Sequence, residues 1–488
     1  MQPEPVLLTA GERTGILRVA MQPIVNLDPI FISSDPEVLV ASSVYDYLVD
    51  VSPGNSIIPR LATEWKVSED GLTYTFQLAT NARFHDGSQL TADDVVWTFN
   101  RLRDPGLDSP TRDLYRNILN IEASGEYEVA FTLEKSNPFF LYDLSDNHAL
   151  ILKENTQDAQ VTMNGSGPFR MVEYTPEDRL ILEANPDYFQ DGLPRLAGLE
   201  FIFFNDQTAQ AEALRSGQVD LAMLLSVDLF ASLKDEPDLV PLKVNTNGFD
   251  LIRLRSDRPP GNDPRVIQAL KLATDRQAIF DLVLQEYGAI GRDSPIGPMY
   301  AQYYSEETPL PDRNIQKARQ LLRDAGYAEG LNLELHTPNT GNRPDLAVVL
   351  RDQWAEIGVN VTVVSEPESV YYGDNGWLEV DLGITGWGSR PYPQFYLDTM
   401  LRCQAVWNES RFCDQEFDQL AELAGTTLNE QQRVEAYRDI QRILIERGPV
   451  IIPYFFAQLG VIRREFQGFT MNPFPGRSSL APVSVVNP

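Results

Sequence analysis

The sequence is poor in the residues that build metal and redox sites. Its 488 residues include only two cysteines, Cys403 and Cys413, and three histidines, His85, His148 and His336. The histidines lie in unrelated segments, and none has the HExxH or CxxC…H spacing of a zinc site. No pattern therefore predicts a metal or another cofactor, and none is expected.

Long apolar runs and an excess of positive charge are also absent. A membrane-spanning helix needs roughly 20 apolar residues, and the nearest run, 449–462, contains Pro449 and Pro453 and predicts a buried crossover. Residues 1–5 have neither the basic start nor the apolar run of a secretory signal. Forty basic against 70 acidic residues give a net charge of −30, which opposes binding to nucleic acid and to anionic lipid surfaces.

Catalytic signatures are missing as well. GSGPF at 165–169 has its serine one place too early for a GxSxG nucleophile elbow, and neither GxxxxGK[ST] nor GxGxxG occurs. Acidic pairs such as Asp93–Asp94 are expected by chance in so acidic a chain, and this pair marks a helix start. No catalytic residue is assigned, and a hydrolase is kept only as the alternative to a binding protein.

Regular patterns are present in two stretches. Residues 72–78 alternate apolar and polar side chains, which predicts a strand of a β-hairpin, and Thr91 stands three residues before Asp94, which predicts a capped helix. Residues 331–335 and 359–363 also alternate, with a helical face from Leu346 to Ile357 between them, which predicts a parallel βαβ unit. Asp263 and Asp275 are expected to cap helices.

Several segments together resemble the large extracellular solute-binding proteins of ABC importers, the family that includes dipeptide-, oligopeptide- and nickel-binding proteins. The resemblance covers nearly the whole chain, in the order of the family. The segments are Trp65, Asp70-Gly71, FHDG (84–87), ADDV (92–95), GSGPFRMVEYTPEDRLILEANPDYF (165–189), ALRSGQVDLA (213–222), DPRVIQALKLATDRQAIF (263–280), KARQLLRDAGY (317–327) and GPVIIPYF (448–455).

The resemblance implies an α/β fold of the type II periplasmic-binding-protein kind, in its large variant with an extra subdomain. Residues 1–52, 165–247 and 457–488 would form one discontinuous lobe, 53–164 the extra subdomain, and 248–456 the second lobe. A ligand cleft would lie between the lobes, and crossovers near Asn247-Gly248 and Phe455-Phe456 would act as the hinge.

The resemblance also implies where the protein works and with what. It predicts a monomeric receptor outside the cytoplasmic membrane, anchored as a lipoprotein, whose chain starts here after its signal. The receptor would pass a small organic solute to the transmembrane subunits of an ABC permease. A cytoplasmic protein and a sensor for a membrane receptor are the alternatives that the residues leave open.

The two cysteines allow two interpretations. Free thiols would suit a cytosolic protein, whereas an even, local pair suits a disulfide. Because the resemblance implies an oxidising compartment, we expect a Cys403–Cys413 disulfide. Closing so short a loop contributes about 3 kcal/mol in the chain-entropy model.

The segment 382–401 carries the main ligand-binding prediction. Its apolar start predicts a strand ending near Trp387, and Pro391 and Pro393 are expected to hold the following loop extended. In the peptide-binding relatives, the corresponding Gly-Trp is soon followed by an aspartate that binds the α-ammonium group of a peptide. Ser389 occupies that position here, with Arg390 beside it.

This exchange changes the expected ligand. A hydroxyl gives an ammonium group no counter-charge, and the planar guanidinium of Arg390 suits a carboxylate or a phosphate. The alternative is that Arg390 pairs with an acidic side chain of the protein. The solutes that fit are sugars or oligosaccharides, opine-like or phosphate-bearing compounds, and peptides held in another way.

Other side chains are weaker candidates for contact with the solute, and core packing is the alternative for each. Trp387, Gly388 and Tyr392 come from the ligand-facing loop of the relatives. The rest are Tyr372 with its neighbour Tyr371, Leu225 between Leu224 and Ser226 after the predicted strand of Val219 and Leu221, and Phe249 beside the predicted hinge.

Overall fold

The computed structural model describes residues 13–107, 109–474 and 476–486. The protein is a mixed α/β structure with two compact units. The first unit comprises the described residues up to Val244 and those from Gln458 onward, and the second comprises Asn245–Ala457. The chain passes between the units inside two long strands, β12 and β18 below.

The strands are short in most places and long where the chain changes unit. They are β1 (Ile16–Met21), β2 (Val49–Val51), β3 (Ile57–Pro59), β4 (Ala62–Val67), β5 (Thr73–Leu78), β6 (Ile118–Gly125), β7 (Glu128–Leu133), β8 (Phe169–Thr175), β9 (Arg179–Ala184), β10 (Gly198–Phe203), β11 (Leu221–Met223), β12 (Leu239–Leu254), β13 (Gly288–Ile290), β14 (Leu331–Pro338), β15 (Val359–Glu366), β16 (Leu382–Trp387), β17 (Val450–Ile451), β18 (Tyr454–Arg463), β19 (Phe466–Gln467) and β20 (Ser484–Val485).

Helices occur in both units. They are α1 (Asp35–Val44), α2 (Ala92–Arg103), α3 (Phe140–Asp143), α4 (Ala159–Thr162), α5 (Gln207–Ser216), α6 (Val227–Leu233), α7 (Pro264–Ala273), α8 (Arg276–Leu284), α9 (Ile315–Asp324), α10 (Arg343–Ala355), α11 (Glu368–Tyr371), α12 (Gln394–Tyr396), α13 (Gln415–Thr426) and α14 (Glu430–Arg447), with short 3₁₀ turns at Pro29–Phe31, Arg112–Tyr115 and Gly373–Leu378 and a π turn at Leu397–Leu401.

The first unit contains a mixed sheet in the order β11-β1-β10-β9-β8. Strand β1 is parallel to both β10 and β11, so their carboxyl ends share one edge. A separate antiparallel sheet, β4-β5-β7-β6, packs against α2. Alternating strand residues and the apolar faces of α1 and α2 join in one buried core.

The second unit contains the sheet order β15-β14-β16-β12. Strands β14, β15 and β16 are parallel, whereas β12 is antiparallel to β16. Helices α7 to α10 cover the sheet with an apolar core that includes the fully buried Trp354. The parallel strands bring their carboxyl ends to one edge, which is where ligands bind in open α/β sheets.

Most local predictions are confirmed. The hairpin appears as β4 and β5, the Thr91–Asp94 capping box starts α2, and Asp263 and Asp275 cap α7 and α8. The predicted βαβ unit is β14-α10-β15 with parallel strands. The separate subdomain at 53–164 and the predicted hinge stay predictions.

Two local predictions were wrong. Strand β11 begins at Leu221, so Val219 precedes it. Pro393 does not extend the loop after β16 but has helical dihedral angles and starts α12. The reason is that the fixed φ of proline suits the first turn of a helix as well as an extended segment.

Candidate functional site

The carboxyl end of β16 forms a surface in the second unit, which we call the β16 surface and define as residues 387–392. Trp387 ends the strand, opposite Phe249 of β12. Gly388 is exposed, Arg390 is half-buried, and Trp387 and Tyr392 are each 8% exposed. The surface therefore offers solvent a backbone segment, one guanidinium and the edges of two aromatic rings.

Trp387 is held by a buried carboxylate. Its Nε1 donates a hydrogen bond to Oε1 of Glu409 at 3.2 Å. The other oxygen, Oε2, accepts from Thr385 Oγ1 at 2.6 Å and from Arg253 Nε at 3.1 Å. Burial raises the pKa of Glu409, and the charge of Arg253 opposes that rise. Because the Glu409 and Arg253 side chains are only 1% and 0% exposed, this ion pair is an internal support of the β16 surface.

The carboxylate that holds Trp387 comes from a disulfide-closed loop. Cys403 and Cys413 form a disulfide, as expected from the sequence. The loop between them carries Glu409 and also Trp407, whose ring contacts that of Trp387 edge-on at 6.1 Å between centroids. The disulfide therefore closes a loop that fixes the position of Trp387 through the Glu409 hydrogen bond and the Trp407 ring contact.

Ser389 uses its hydroxyl within the protein. Oγ accepts a hydrogen bond from the backbone N–H of Asn247 at 3.0 Å and faces the Met299 sulfur at 4.0 Å. The residue is only 3% exposed. Nearby, the hydroxyl of Tyr396 donates to the carbonyl of Gly388 at 2.8 Å. Ser389 and Tyr396 thus fix the loop backbone after β16.

The guanidinium of Arg390 forms no ion pair with the described residues of the second unit. Its guanidinium carbon lies 4.5 Å from the ring centroid of Phe395. The hydroxyl of Tyr300, whose pKa is raised by burial, donates to the Arg390 carbonyl at 2.7 Å. The backbone of Arg390 is therefore fixed, and no described residue of the second unit accepts a hydrogen bond from its guanidinium.

The remaining candidates in the second unit are packed against other rings. Tyr372 contacts Tyr371 and Trp377 edge-on, with ring centroids 5.0 and 5.8 Å away, and burial raises the pKa of its hydroxyl. The hydroxyls of Tyr371 and Thr385 are hydrogen-bonded at 3.2 Å, and Thr385 in turn donates to Glu409. The three packed rings are thereby linked to the carboxylate that holds Trp387. Phe249 is 0% exposed and therefore supports the β16 surface from beneath.

A second ion pair, between the buried Asp250 and the half-buried Arg343, adjoins β16 and was not predicted from the sequence. Oδ1 of Asp250 accepts from Arg343 Nε at 3.1 Å, and Oδ2 accepts from the hydroxyl of Tyr454 at 2.7 Å. Arg343 occupies the space where residue 386 would carry a side chain. A Cβ on Gly386 would lie 2.2 Å from Arg343 Nη2. Glycine at 386 is thus what lets the guanidinium reach Asp250.

Gly383 leaves room for Arg253 of the Arg253–Glu409 pair in the same way. A Cβ there would lie 2.8 Å from Nη1 of Arg253. The sequence does contain a signal for both pairs, because FDLIRL (249–254) has two charged residues inside an apolar strand. Their partners are remote in the chain, so the pairing itself was not predictable.

The first unit has a pocket at the carboxyl ends of β1 and β11, with a volume of about 120 Å³. Leu224, which lines it, has a φ of +59°, a conformation that a leucine rarely adopts. Gln207 holds it there, because Nε2 donates to the Leu224 carbonyl at 2.8 Å and Oε1 accepts from the Ser226 N–H at 3.0 Å. The predicted contact residue Leu225 is 5% exposed and donates its N–H to a carbonyl of β18.

The buried charges of the first unit lie elsewhere. Asp50 accepts hydrogen bonds from Arg60 Nε at 3.0 Å and from Arg477 Nη2. Asp46 accepts from the Tyr188 hydroxyl at 3.2 Å, and its other oxygen has no partner among the described residues. Burial raises the pKa of Asp46 to about 7. None of these charged groups is among the described residues that line the pocket.

The described residues contain neither a metal-binding cluster nor a membrane-spanning helix. No group of three or more His, Cys, Asp or Glu side chains in them is arranged to hold a metal ion. None of the helices in the described part of the chain is long and apolar enough to cross a membrane.

Comparisons with known proteins give matches over most of the chain. The sequence model of the bacterial extracellular solute-binding proteins, family 5 Middle, matches residues 56–408. Di/tripeptide-binding protein 1 of Pseudomonas aeruginosa is 29% identical over 91% of this chain and 89% of its own length. Heme-binding protein A of Haemophilus influenzae is 27% identical over 91% and 87%. The solved structure of HbpA2 from Haemophilus parasuis matches with a TM-score of 0.84 and 25% identity over 97% of this chain and all of that one.

Proposed function

Because the chain belongs to the bacterial extracellular solute-binding proteins of family 5, we propose that it captures a small anionic organic solute. Proteins of this family bind peptides and related ligands for ABC importers, and this chain is one of them. The relatives are binding proteins, and our proposal includes no catalytic step. Binding would stabilise the state that the permease recognises, in proportion to the difference in ligand affinity between the states.

The observation that carries the anionic preference is Arg390. Its guanidinium lies over Phe395, beside the exposed Gly388. Within the second unit, no carboxylate of the described residues neutralises it. A guanidinium offers parallel N–H donors that match a carboxylate or phosphate. The heme- and peptide-binding names of the relatives support a family whose ligands vary in chemistry.

The other residues of the β16 surface have graded roles in this proposal. Gly388, Tyr392 and the exposed edge of Trp387 contact the solute, and Tyr372 borders it. Ser389 and Phe249 position that surface, since the hydroxyl of one is already bonded and the ring of the other is buried. Leu225 belongs to the first unit and would contribute through the pocket beside it.

The test starts with native mass spectrometry of freshly purified protein, to identify the solute that copurifies. Titration calorimetry then compares wild type with Arg390→Ala and Arg390→Lys, using that solute and a neutral analogue. Arg390→Ala should cost about 2–5 kcal/mol of affinity for the anionic solute, and Arg390→Lys should restore little of it because an ammonium lacks the planar fork. Arg351→Ala, which removes an exposed arginine of α10, is the matched control.

Two results would contradict the proposal. An unchanged preference between the anionic and neutral compounds in Arg390→Ala would assign Arg390 to the scaffold. Steady conversion of the bound solute to a product would make the protein an enzyme.

We also propose that the receptor is a monomer anchored as a lipoprotein, which light scattering and mass analysis of the amino terminus of the cellular protein would check.

A further inference from the structure

The pocket of the first unit has the size and lining of a binding site for one chemical group. Its volume of about 120 Å³ is close to that of an engineered cavity of about 150 Å³ that takes up benzene in another protein. Met21, Met223 and Leu39 supply apolar wall. The pocket can therefore enclose a branched aliphatic group of a few heavy atoms.

Three glutamines that line the pocket, Gln22, Gln210 and Gln458, form no side-chain hydrogen bond with a described residue, and Gln210 is the most buried of them. Gln210, on α5, is only 3% exposed, and no described residue forms a hydrogen bond with its side-chain amide. Because Gln210 lines the pocket, its donor and acceptor are available to whatever occupies that space.

Gln207, which also lines the pocket, differs from Gln210 because its side-chain amide is already used in hydrogen bonds. Both ends of the Gln207 amide bond the backbone on either side of Leu225 and hold Leu224 at its positive φ. Strained backbone of this kind persists only where the surroundings fix it, and it clusters at ligand sites. The pocket thus combines a fixed wall with the nearly buried side chain of Gln210, whose amide bonds no described residue.

Charge restricts what the pocket accepts. No lysine or arginine is among the described residues that line it, and Asp35 is the charged side chain there. An anionic group would lose its hydration without gaining a counter-charge. An amide has neither problem, because its N–H₂ and C=O pair with the C=O and N–H₂ of Gln210.

We propose that this pocket binds a neutral, amide-bearing aliphatic group of the solute, paired with Gln210. The inference rests on the proposed function and adds the chemistry of a second group to it. A solute with a terminal amide or an amide side chain next to aliphatic carbon satisfies this description.

The test uses fragments, so it does not need the natural solute. Protein labelled with ¹³C at the methionine methyl groups is titrated with isobutyramide and, separately, with isobutyrate, which has the same shape and a negative charge. Met21 and Met223 are assigned by replacing each with leucine. Isobutyramide should shift both methyl signals saturably, and isobutyrate should leave them unchanged.

Two glutamine variants measure how much the side-chain amide of Gln210 contributes to the binding of isobutyramide. Gln210→Leu should weaken isobutyramide about 3- to 10-fold, the contribution of one or two hydrogen bonds. Gln218→Leu, the same change at an exposed position after α5, should have no effect. If Gln210→Leu loses a dispersed methyl spectrum, the comparison of the two fragments on wild type still decides the question.

The outcomes separate this inference from the proposed function. Equal binding of isobutyrate and isobutyramide, no binding of either, or an unchanged affinity in a folded Gln210→Leu protein would overturn the pocket assignment. Such a result together with a captured anionic solute would leave the proposed function intact. Fragment binding in a protein that captures no anionic solute would support the pocket and contradict the proposed function.

Discussion

The carboxyl ends of the strands are supported differently in the two units. Beneath the β16 surface, two ion pairs support the strand, the buried Arg253–Glu409 and the half-buried Arg343–Asp250, and Glu409 also holds Trp387. The pocket of the first unit is framed by neutral contacts, in which Gln207 bonds main-chain groups and methionines line the wall. The comparison indicates that the second unit fixes the geometry of its strand end through charged groups, while the first does so through neutral hydrogen bonds to the backbone.

The largest effect should come from removing one partner of the Arg253–Glu409 pair. Glu409→Ala should lower the free energy of unfolding by about 3–5 kcal/mol, because it leaves a fully buried guanidinium without a counter-charge. Urea denaturation measures the loss. The double variant Arg253→Met/Glu409→Leu should recover most of it. A loss below about 1 kcal/mol in Glu409→Ala would show that the pair does not support the unit.

Opening the disulfide loop should have the next largest effect. Cys403→Ala combined with Cys413→Ala should cost about 3 kcal/mol, because the unfolded chain regains the freedom of a loop of this length. Urea denaturation of oxidised and reduced wild type provides the comparison, and reduced wild type should match the double variant. Equal stability of all three proteins would contradict the prediction.

A smaller effect is expected from adding one methyl group to β16. Gly386→Ala places a Cβ against the Arg343 guanidinium and should lower stability by about 1–3 kcal/mol through overpacking. Gly388→Ala is the matched control, because a Cβ at that position meets no atom within 4 Å. Thermal and urea unfolding of the two variants should differ clearly. Equal values would mean that Arg343 moves aside at little cost.

The last prediction depends on pH instead of on a lost contact; it concerns Asp46 and extends the comparison to the buried charges of the first unit. Its pKa is about 7 in the folded protein and about 3.9 in an unfolded chain. The native state therefore binds this proton more tightly, so its stabilising contribution is complete below pH 4 and is lost as the pH rises towards 7. The slope should approach about 1.4 kcal/mol per pH unit near pH 5–6.

Asp46→Asn removes the titrating carboxyl, so the contribution of this position to the pH dependence of the free energy of unfolding should disappear. The measurement is the free energy of unfolding of wild type and variant from pH 4.5 to 7.5. The wild-type value should fall relative to the variant across that range. Parallel curves would show that the Asp46 carboxyl does not retain its proton in the folded protein.

Much of the fold could be predicted from local patterns. The β14-α10-β15 unit follows from alternation and a helical face, and the start of α2 from the Thr91–Asp94 spacing. These features depend on residues close together in the chain, where periodicity and capping chemistry act directly. The Cys403–Cys413 bond is equally local, and it too is present.

The support of the site could not be predicted in the same way. Arg253 and Glu409 are 156 positions apart, and only the folded sheet brings them together. The hydrogen bond from the Asn247 N–H to the Ser389 hydroxyl joins residues 142 positions apart and was equally unpredictable, while contact of Ser389 with the solute stays a prediction. Pro393 shows the same limit, since its φ alone fits both a helix start and an extended loop.

The two glycines of β16 have an evolutionary consequence. Each leaves room for one arginine, Gly383 for Arg253 and Gly386 for Arg343. A side chain at either position would displace the arginine beside it, so positions 383 and 253, and positions 386 and 343, are expected to change together. Lineages that lose the arginine first become free to place a side chain on the strand that ends at the β16 surface, and that order of substitutions is a route by which new solute specificity can arise.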